Sequence, residues 1–289
     1  MDSYWVNWAE KLSVVDEKPL RLMGWLLREC GIETDVRFLN VNDLSFAQRS
    51  MIENAFQRLL AREPLSKILG EKEFYGRMFK TTRDTLDPRE DSETLIECVK
   101  LYQQPNDVFT ILDLGTGTGC LIVTLLALFP EAIGIALDKC PKALNVAMEN
   151  AKRHHVQHRV GFLESDWCRA LVSSPLCEQF QSKQVKGTFD VILSNPPYIR
   201  DDYALAPSVA YYDPAAALFG GKDGLDAYRS LFKELPSFCH ATTKICMEIG
   251  YDQFQSVPFI AESYGFQLID TKRDANGHCR SLVFQHIGT

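Results

Sequence analysis

The segment that most narrows what this chain can fold into is Asp113-Leu114-Gly115-Thr116-Gly117-Thr118-Gly119, which follows the apolar run Phe109 to Leu114 and opens the helical stretch Leu121 to Phe129. Glycines at alternate positions let a backbone turn sharply and come close to a ligand. A strand passing through such a loop into a helix is the opening unit of a doubly wound sheet, whose ligands sit at the carboxyl ends of the strands. A turn that is merely tight is the other reading. The GxGxG spacing differs by one residue from the dinucleotide fingerprint GxGxxG, and no P-loop lysine accompanies it.

The sequence downstream agrees with that opening. Phe109 to Leu114, Ala132 to Leu137, Arg159 to Leu163, Phe189 to Ser194, Lys244 to Ile249 and Phe266 to Asp270 read as strands, with helical segments between most of them, and Arg280 to His286 adds a last strand. Strands alternating with helices predict an α/β domain with a mostly parallel sheet covered on both faces. Ser173 to Lys186 reads as a loose surface insertion. The first 70 residues read instead as helical: Pro19 to Cys30 carries an apolar stripe and stops at Gly31. Asp43 or Ser45 is placed to cap a second helix, which buries Phe46, Ile52, Phe56, Leu59 and Leu60 and ends at Pro64. Between Glu73 and Thr82 a short β-hairpin is expected. The boundary is expected near residue 85, giving a helical domain with a hairpin linker over 1–85 and an α/β domain over 86–289.

Charge narrows the partner. The chain carries 31 Lys plus Arg against 38 Asp plus Glu; residues 1–85 hold 13 of each, so the whole excess of acid lies in residues 86–289. Nucleic-acid binding draws mainly on cation-to-phosphate attraction, so no direct nucleic-acid contact is expected. The longest apolar run, Cys120 to Phe129, is far short of the roughly 20 residues a membrane helix needs. The opening MDSYWVNWAE lacks the basic start and apolar stretch of a secretory signal, and nine scattered cysteines without a CxxC pair suit reduced thiols. A cytoplasmic protein without membrane contact is therefore expected.

Two further segments carry chemistry. The second α/β strand ends at Asp138, 23 residues after Gly115, where doubly wound folds set a carboxylate beside ribose hydroxyls. A nucleoside with an unphosphorylated diol fits that acceptor. Asp166 then accepts from an exocyclic amine and Trp167 packs on the base; alternatively, Asp166 caps a short helix containing Trp167. The strand Phe189 to Ser194 runs into Asn195-Pro196-Pro197-Tyr198. The prolines lack N–H groups, so the Pro196 carbonyl and the Asn195 side-chain oxygen are free to converge on one planar NH₂ group, with Tyr198 stacked on the group that carries it. An amide or aromatic amine nitrogen is a weak nucleophile until held in line, about 3–3.5 Å from an electrophilic carbon. A sulfonium methyl is the matching electrophile, which points to an amine-methyl transferase using S-adenosylmethionine. No metal is called for, and His154, His155 and His158 read as a solvated helix end.

These segments together resemble the class I S-adenosylmethionine-dependent methyltransferases carrying NPPY, and within them the peptide chain release factor glutamine methyltransferases. DLGTGTG and SNPPYI alone are shared with adenine-amine enzymes acting on DNA or RNA. Glu63-Pro64-Leu65 through Gly70, Glu73-Phe74-Tyr75-Gly76, Leu86 to Glu93, Asp213 to Leu218, Gly220 to Leu225, Tyr228-Arg229, Glu248-Ile249-Gly250 with Gln253, and Asp274 to Gly277 with Arg280 are similar to further segments of the glutamine enzymes, over about residues 63–285. Asp87 and Glu90 replace Ile and Pro of the family pattern, and Asp213 replaces Glu; the first two add negative charge near the expected mouth of the site.

The resemblance implies a doubly wound, seven-stranded methyltransferase sheet and a small N-terminal helical domain that docks the protein partner, unless that domain is only a stabilising lid. It implies that Gly115, Thr116, Gly117, Thr118, Gly119, Asp138 and Trp167 bind S-adenosylmethionine, to which the reading of the residues adds Asp166, and that Asn195 lies between cofactor and substrate. Asn195, Pro196, Pro197 and Tyr198 would hold the glutamine amide, with Asn195, Pro196 and Tyr198 catalytic. The implied substrate is the Gly-Gly-Gln loop of class I release factors, acted on by a monomer. Methylation of adenine amines in DNA or RNA is the competing expectation.

Overall fold

The computed structural model describes residues 1–174, 176 and 187–287, so most of the expected insertion at Ser173 to Lys186 lies outside the described residues. The chain divides into two compact units, Met1–Glu71 with Leu205–Tyr212, and Lys72–Ala204 with Asp213–Thr289.

The first unit is helical. Helix α1 (Ser3–Leu12) is capped by Asp2, whose side chain accepts from Tyr4 N–H, and turns Trp5, Trp8 and Leu12 inward at helical spacing. Helix α2 (Pro19–Glu29) begins on proline, buries Leu22, Met23, Leu26 and Leu27, and is closed by Gly31 at φ +74°. Helix α3 (Phe46–Leu60) starts with a reciprocal capping box between Ser45 and Gln48, which selects Ser45 of the two expected caps. Its inner face is Ile52, Ala55, Phe56 and Leu59, whereas Phe46, expected inside, is 88% exposed because it precedes the first turn that faces the core. Arg58 grips Glu63 through two hydrogen bonds of 2.8 and 2.6 Å and leads into α4 (Leu65–Leu69). The indole N–H of fully buried Trp5 donates to the Leu39 carbonyl at 2.7 Å.

The second unit opens with strands β1 (Glu71–Phe74) and β2 (Arg77–Lys80), the expected hairpin, turned at Tyr75 and Gly76 with φ of 50° and 70°. Phe74 and Phe79 are buried in the same core as helix α5 (Glu93–Lys100), so the hairpin belongs to this unit and the division falls near residue 72 rather than 85. Strand β3 (Thr110–Leu114), helix α6 (Cys120–Leu128), strand β4 (Ile133–Asp138), helix α7 (Pro141–Arg153), strand β5 (Val160–Glu164) and strand β6 (Phe189–Ser194) follow the predicted alternation. After the short helix α8 (Pro207–Ala210), which falls in the first unit, come helix α9 (Asp226–Glu234), strand β7 (Cys239–Glu248), helix α10 (Ser256–Ser263), and strands β8 (Phe266–Arg273) and β9 (Cys279–His286).

Among the described residues the sheet has seven strands in the order β5-β4-β3-β6-β7-β9-β8, with β9 inserted antiparallel between β7 and β8. Side chains alternate between two cores. Ile111, Ala136, Val191 and Leu193 face the layer that includes Ile96, Ile122 and Leu125; Leu112, Ile135, Leu137 and Ile192 face the layer that includes Tyr228, Leu231 and Val257. Burial on both faces explains why these strands read as nearly unbroken apolar runs. His154, expected in solvent, instead sets Nε2 against the Met78 carbonyl at 2.9 Å and its ring against Phe79 at 4.8 Å. Among the described residues no helix is long and apolar enough to cross a membrane.

Two substitutions test this packing. Trp5→Ala removes a buried indole and strands the Leu39 carbonyl, and it should cost about 3–5 kcal/mol, measured as a lowered urea midpoint of the helical signal. Gly134→Ala would place a Cβ 2.7 Å from the Ile111 carbonyl. It should destabilise the sheet by about 1–3 kcal/mol, read as a fall in Tm.

Candidate active site

Strands β3 and β6 end side by side, and Ser194 Oγ donates to the Leu114 carbonyl at 2.7 Å across that edge. The chain leaves β3 through Gly115, Gly117 and Gly119, all at positive φ (74°, 56° and 77°). Gly115 and Thr116 N–H both donate to the Leu137 carbonyl at 2.9 Å, and Gly117 N–H donates to Asp138 Oδ2 at 2.9 Å. The other oxygen of Asp138 accepts from Cys140 N–H at 2.8 Å. Thus one carboxylate fixes both the glycine loop and the start of α7, and each oxygen keeps a lone pair for a ligand.

Asn150, fully buried on α7, ties the loop from behind. Its amide nitrogen donates to the Thr118 and Lys80 carbonyls at 2.9 and 3.0 Å, and its oxygen accepts from Lys80 N–H at 2.8 Å. Thr116 Oγ1 donates to Asp113 Oδ2 at 2.6 Å, while burial pushes the Asp113 carboxyl up to about 7.

Gly115, Thr116, Gly117, Thr118, Asp138, Asp166, Trp167, Asn195, Pro196 and Pro197 line one cleft together with the connector Asp84 to Arg89 and Pro214. Gly119 does not reach its surface: it packs on α7, where an added Cβ would lie 3.0 Å from the Ala147 Cβ. Asp166 and Trp167 occupy a turn rather than a helix, which removes the capping alternative; Trp167 has a φ of 53°. Asp166 pairs with Arg169 at 2.6 Å, and both side chains remain more than half exposed.

The Asn195 to Tyr198 segment is held from behind by backbone contact. A Cβ on Gly220 would come within 2.5 Å of the Pro197 carbonyl and one on Gly224 within 2.3 Å of the Tyr198 carbonyl, so only glycine fits at either place. Gln253 Nε2 bridges the Tyr198 and Gly224 carbonyls at 3.1 and 3.2 Å. Tyr198 itself does not line the cleft: its hydroxyl donates to Glu248 Oε1 at 3.2 Å, because a carboxylate buried at the end of β7 needs donors. Ser92 Oγ donates to the other oxygen of Glu248 at 2.5 Å, and Asn195 Nδ2 donates to Ser92 Oγ at 2.9 Å. Burial pushes the Glu248 carboxyl up to about 7. Among the described residues no donor meets Asn195 Oδ1 or the Pro196 carbonyl.

The acids that depart from the family pattern are mostly engaged internally. Asp87 is buried and accepts from Thr81 Oγ1 at 2.6 Å, and buried Asp213 pairs at 2.7 Å with Arg89, which lines the cleft; Glu90 alone of the three is exposed. Sequence reasoning passed over Ser92, Asn150 and the contacts of Glu248. The available signals were a carboxylate at the end of the buried run KICMEI and an asparagine on the apolar face of α7.

Comparison with known proteins bears on what such a cleft serves. Residues 82–211 match the family model "Methyltransferase small domain". The chain is 43% identical over 230 residues to the release factor glutamine methyltransferase of Cereibacter sphaeroides, covering 79% of this chain and 76% of that one. It is 35% identical to the protein of the same name from Rhodospirillum rubrum (95% and 86% covered) and 36% identical to that from Agrobacterium fabrum (82% and 80%). Identity at this level over most of each chain, on a sheet and cleft of this form, means that the chain belongs to the release factor glutamine methyltransferase family.

Proposed function

We propose that this protein transfers a methyl group from S-adenosylmethionine to the side-chain amide nitrogen of the glutamine in the Gly-Gly-Gln loop of class I release factors. The observation that carries the reading is that Asn195 and Pro196, whose Oδ1 and carbonyl meet no donor among the described residues, line the same cleft as the glycine loop and Asp138. When bound, S-adenosylmethionine supplies an electrophilic methyl group on a sulfonium sulfur.

Asp138 has acceptor capacity left for a ribose diol, and the Gly115 to Thr118 backbone lets a ligand approach without side-chain obstruction. Trp167 offers a ring edge beside Gly115, suited to packing against the base. The Asp166 carboxylate, although paired with Arg169, keeps lone pairs for an exocyclic amine. On the substrate side, Asn195 Oδ1 and the Pro196 carbonyl each accept one N–H of the glutamine amide. That fixes the plane of the NH₂ group and stabilises the positive charge that grows on nitrogen as the nitrogen–carbon bond forms and the methyl–sulfur bond breaks; the sulfur leaves as a neutral thioether and the methylated amide gives one proton to solvent. Pro197 completes the wall, and Tyr198 acts from behind it. Docking of the release factor falls to the helical residues, where Phe38 and Phe46 are 82% and 88% exposed. The enzyme is read as a cytoplasmic monomer that makes no direct contact with nucleic acid.

Three measurements test the proposal. Incubation with S-adenosylmethionine and a purified release factor should add one methyl group to the loop glutamine by mass spectrometry; transfer to adenine in DNA or RNA instead would favour the alternative substrate. Asn195→Ala should lower kcat at least about 100-fold with cofactor binding still measurable, and Asp138→Ala should weaken cofactor binding about tenfold or more, both by calorimetry and rate. Replacing Phe38 and Phe46 by serine should raise KM for the release factor without changing cofactor affinity; an unchanged KM would make the helical unit a stabilising element only.

A further inference from the structure

Asn195 can serve as an acceptor only if its oxygen, and not its nitrogen, faces the cleft, and a side-chain amide reverses those two atoms by a half turn. The residues behind it decide between the two. Glu248 is 1% exposed and its two oxygens take hydrogens from Ser92 Oγ (2.5 Å) and the Tyr198 hydroxyl (3.2 Å). Ser92, 3% exposed, has a single hydroxyl hydrogen. With that hydrogen given to Glu248, the hydroxyl can only accept from Asn195, as it does at 2.9 Å. Nitrogen is thereby drawn to Ser92 and oxygen is left for the cleft.

We infer that Ser92 and Glu248 are positioning residues which, through the direction of this hydrogen-bond chain, set the Asn195 amide in the one orientation that accepts a substrate N–H. The inference rests on the activity proposed above and deepens it. Its physical content is polarity: a protonated Glu248 donates to Ser92, the serine hydrogen is redirected to Asn195, and the amide turns its NH₂ toward an incoming NH₂, where two donors repel.

The groups facing Glu248 come from several elements. Asp91 precedes α5, Cys120 opens α6, Tyr198 follows β6, Tyr228 lies on α9 with its hydroxyl on the Glu248 carbonyl at 2.9 Å, and Arg280 lies on β9. Arg280 is in turn paired with Asp274 at 3.0 Å and Asp91 at 3.2 Å. Burial pulls the Arg280 guanidinium down, but nearby Asp91 and Asp274 outweigh it and keep the group above its ordinary range, while burial holds both tyrosines protonated, so Arg280 stays cationic and the tyrosines stay donors near neutral pH. Burial sets the Glu248 carboxyl near 7, which puts the reversal within reach of ordinary buffers.

The test reads kcat, cofactor affinity and the Asn195 side-chain signal together. In the wild type, kcat should fall about tenfold per pH unit below the Glu248 titration. Glu248→Gln, which cannot titrate and whose amide can turn either its oxygen or its nitrogen to Ser92, should lose the acid limb, with cofactor Kd unchanged. Ser92→Ala, which removes the acceptor that holds the Asn195 nitrogen, should lose roughly 10-fold to 100-fold in kcat with the same Kd. In nitrogen-15 spectra of the wild type, the Asn195 NH₂ protons should move upfield as pH is lowered from about 8.5 to 5.5, and they should stay still in Glu248→Gln. Wild-type kcat in Ser92→Ala, an acid limb kept by Glu248→Gln, or an Asn195 signal indifferent to pH in the wild type, overturns the positioning role. Absence of any transfer by the wild type overturns the proposed activity, while the Asn195 signal still judges the chain by itself.

Discussion

The edge where β3 and β6 end together, closed by Ser194 donating to the Leu114 carbonyl, is the constraint on which the functional half of the molecule depends. Parallel strands cannot be joined by tight turns, so each must hand its chain to a crossover, and the crossovers of β3 and β6 leave in opposite directions. A cleft opens between them without any side chain being removed. The glycine loop fills one lip and the Asn195 to Pro197 segment the other, so the spacing of the two groups is inherited from the parallel register that sets Leu114 beside Ser194.

Much of this was legible in the residues. The glycine loop, the strand before it, and Asp138 at the end of the next strand are local signals, and all lie where their spacing puts them. The seven strands could be read for the same reason: burial on both faces leaves an apolar run that turn residues bound. The position of β9 was not legible. Its residues look like any last strand, and only the pairing of Val283 with Cys246 on one side and Asp270 on the other reveals an insertion. The hairpin was read as a hairpin but assigned to the wrong unit, since the burial of Phe74 and Phe79 against α5 and α6 is a tertiary fact. Phe46 shows the converse: helical spacing marks a face, but the first residue of a helix can miss the core that the face meets.

The candidate site was readable in its first layer and silent in its second. Asn195, Pro196 and the glycines announce themselves by rare local combinations. Ser92, 103 positions before Asn195, and Glu248, 156 positions after Ser92, do not. Their meaning comes only from proximity, and a serine in a polar connector or a glutamate after an apolar run has many ordinary explanations. Asn150 belongs to the same class. Holding the hairpin and the glycine loop with one side chain, it couples two segments 38 residues apart that no pattern links.

Gly220 and Gly224, pressed against the carbonyls of Pro197 and Tyr198, give the cleft a wall whose backing is main chain on both sides. A wall made that way has no side chain to exchange. Drift in sequence can alter what approaches the opening, and Arg89 and Asp213 are places where it can act, yet it cannot reshape the acceptor presented by Pro196 without breaking the fold behind it. For a chemist designing a blocker, that separates two kinds of foothold: contacts near Arg89, which a single codon change can erase, and a hydrogen bond to the Pro196 carbonyl, against which the protein has no simple route to resistance.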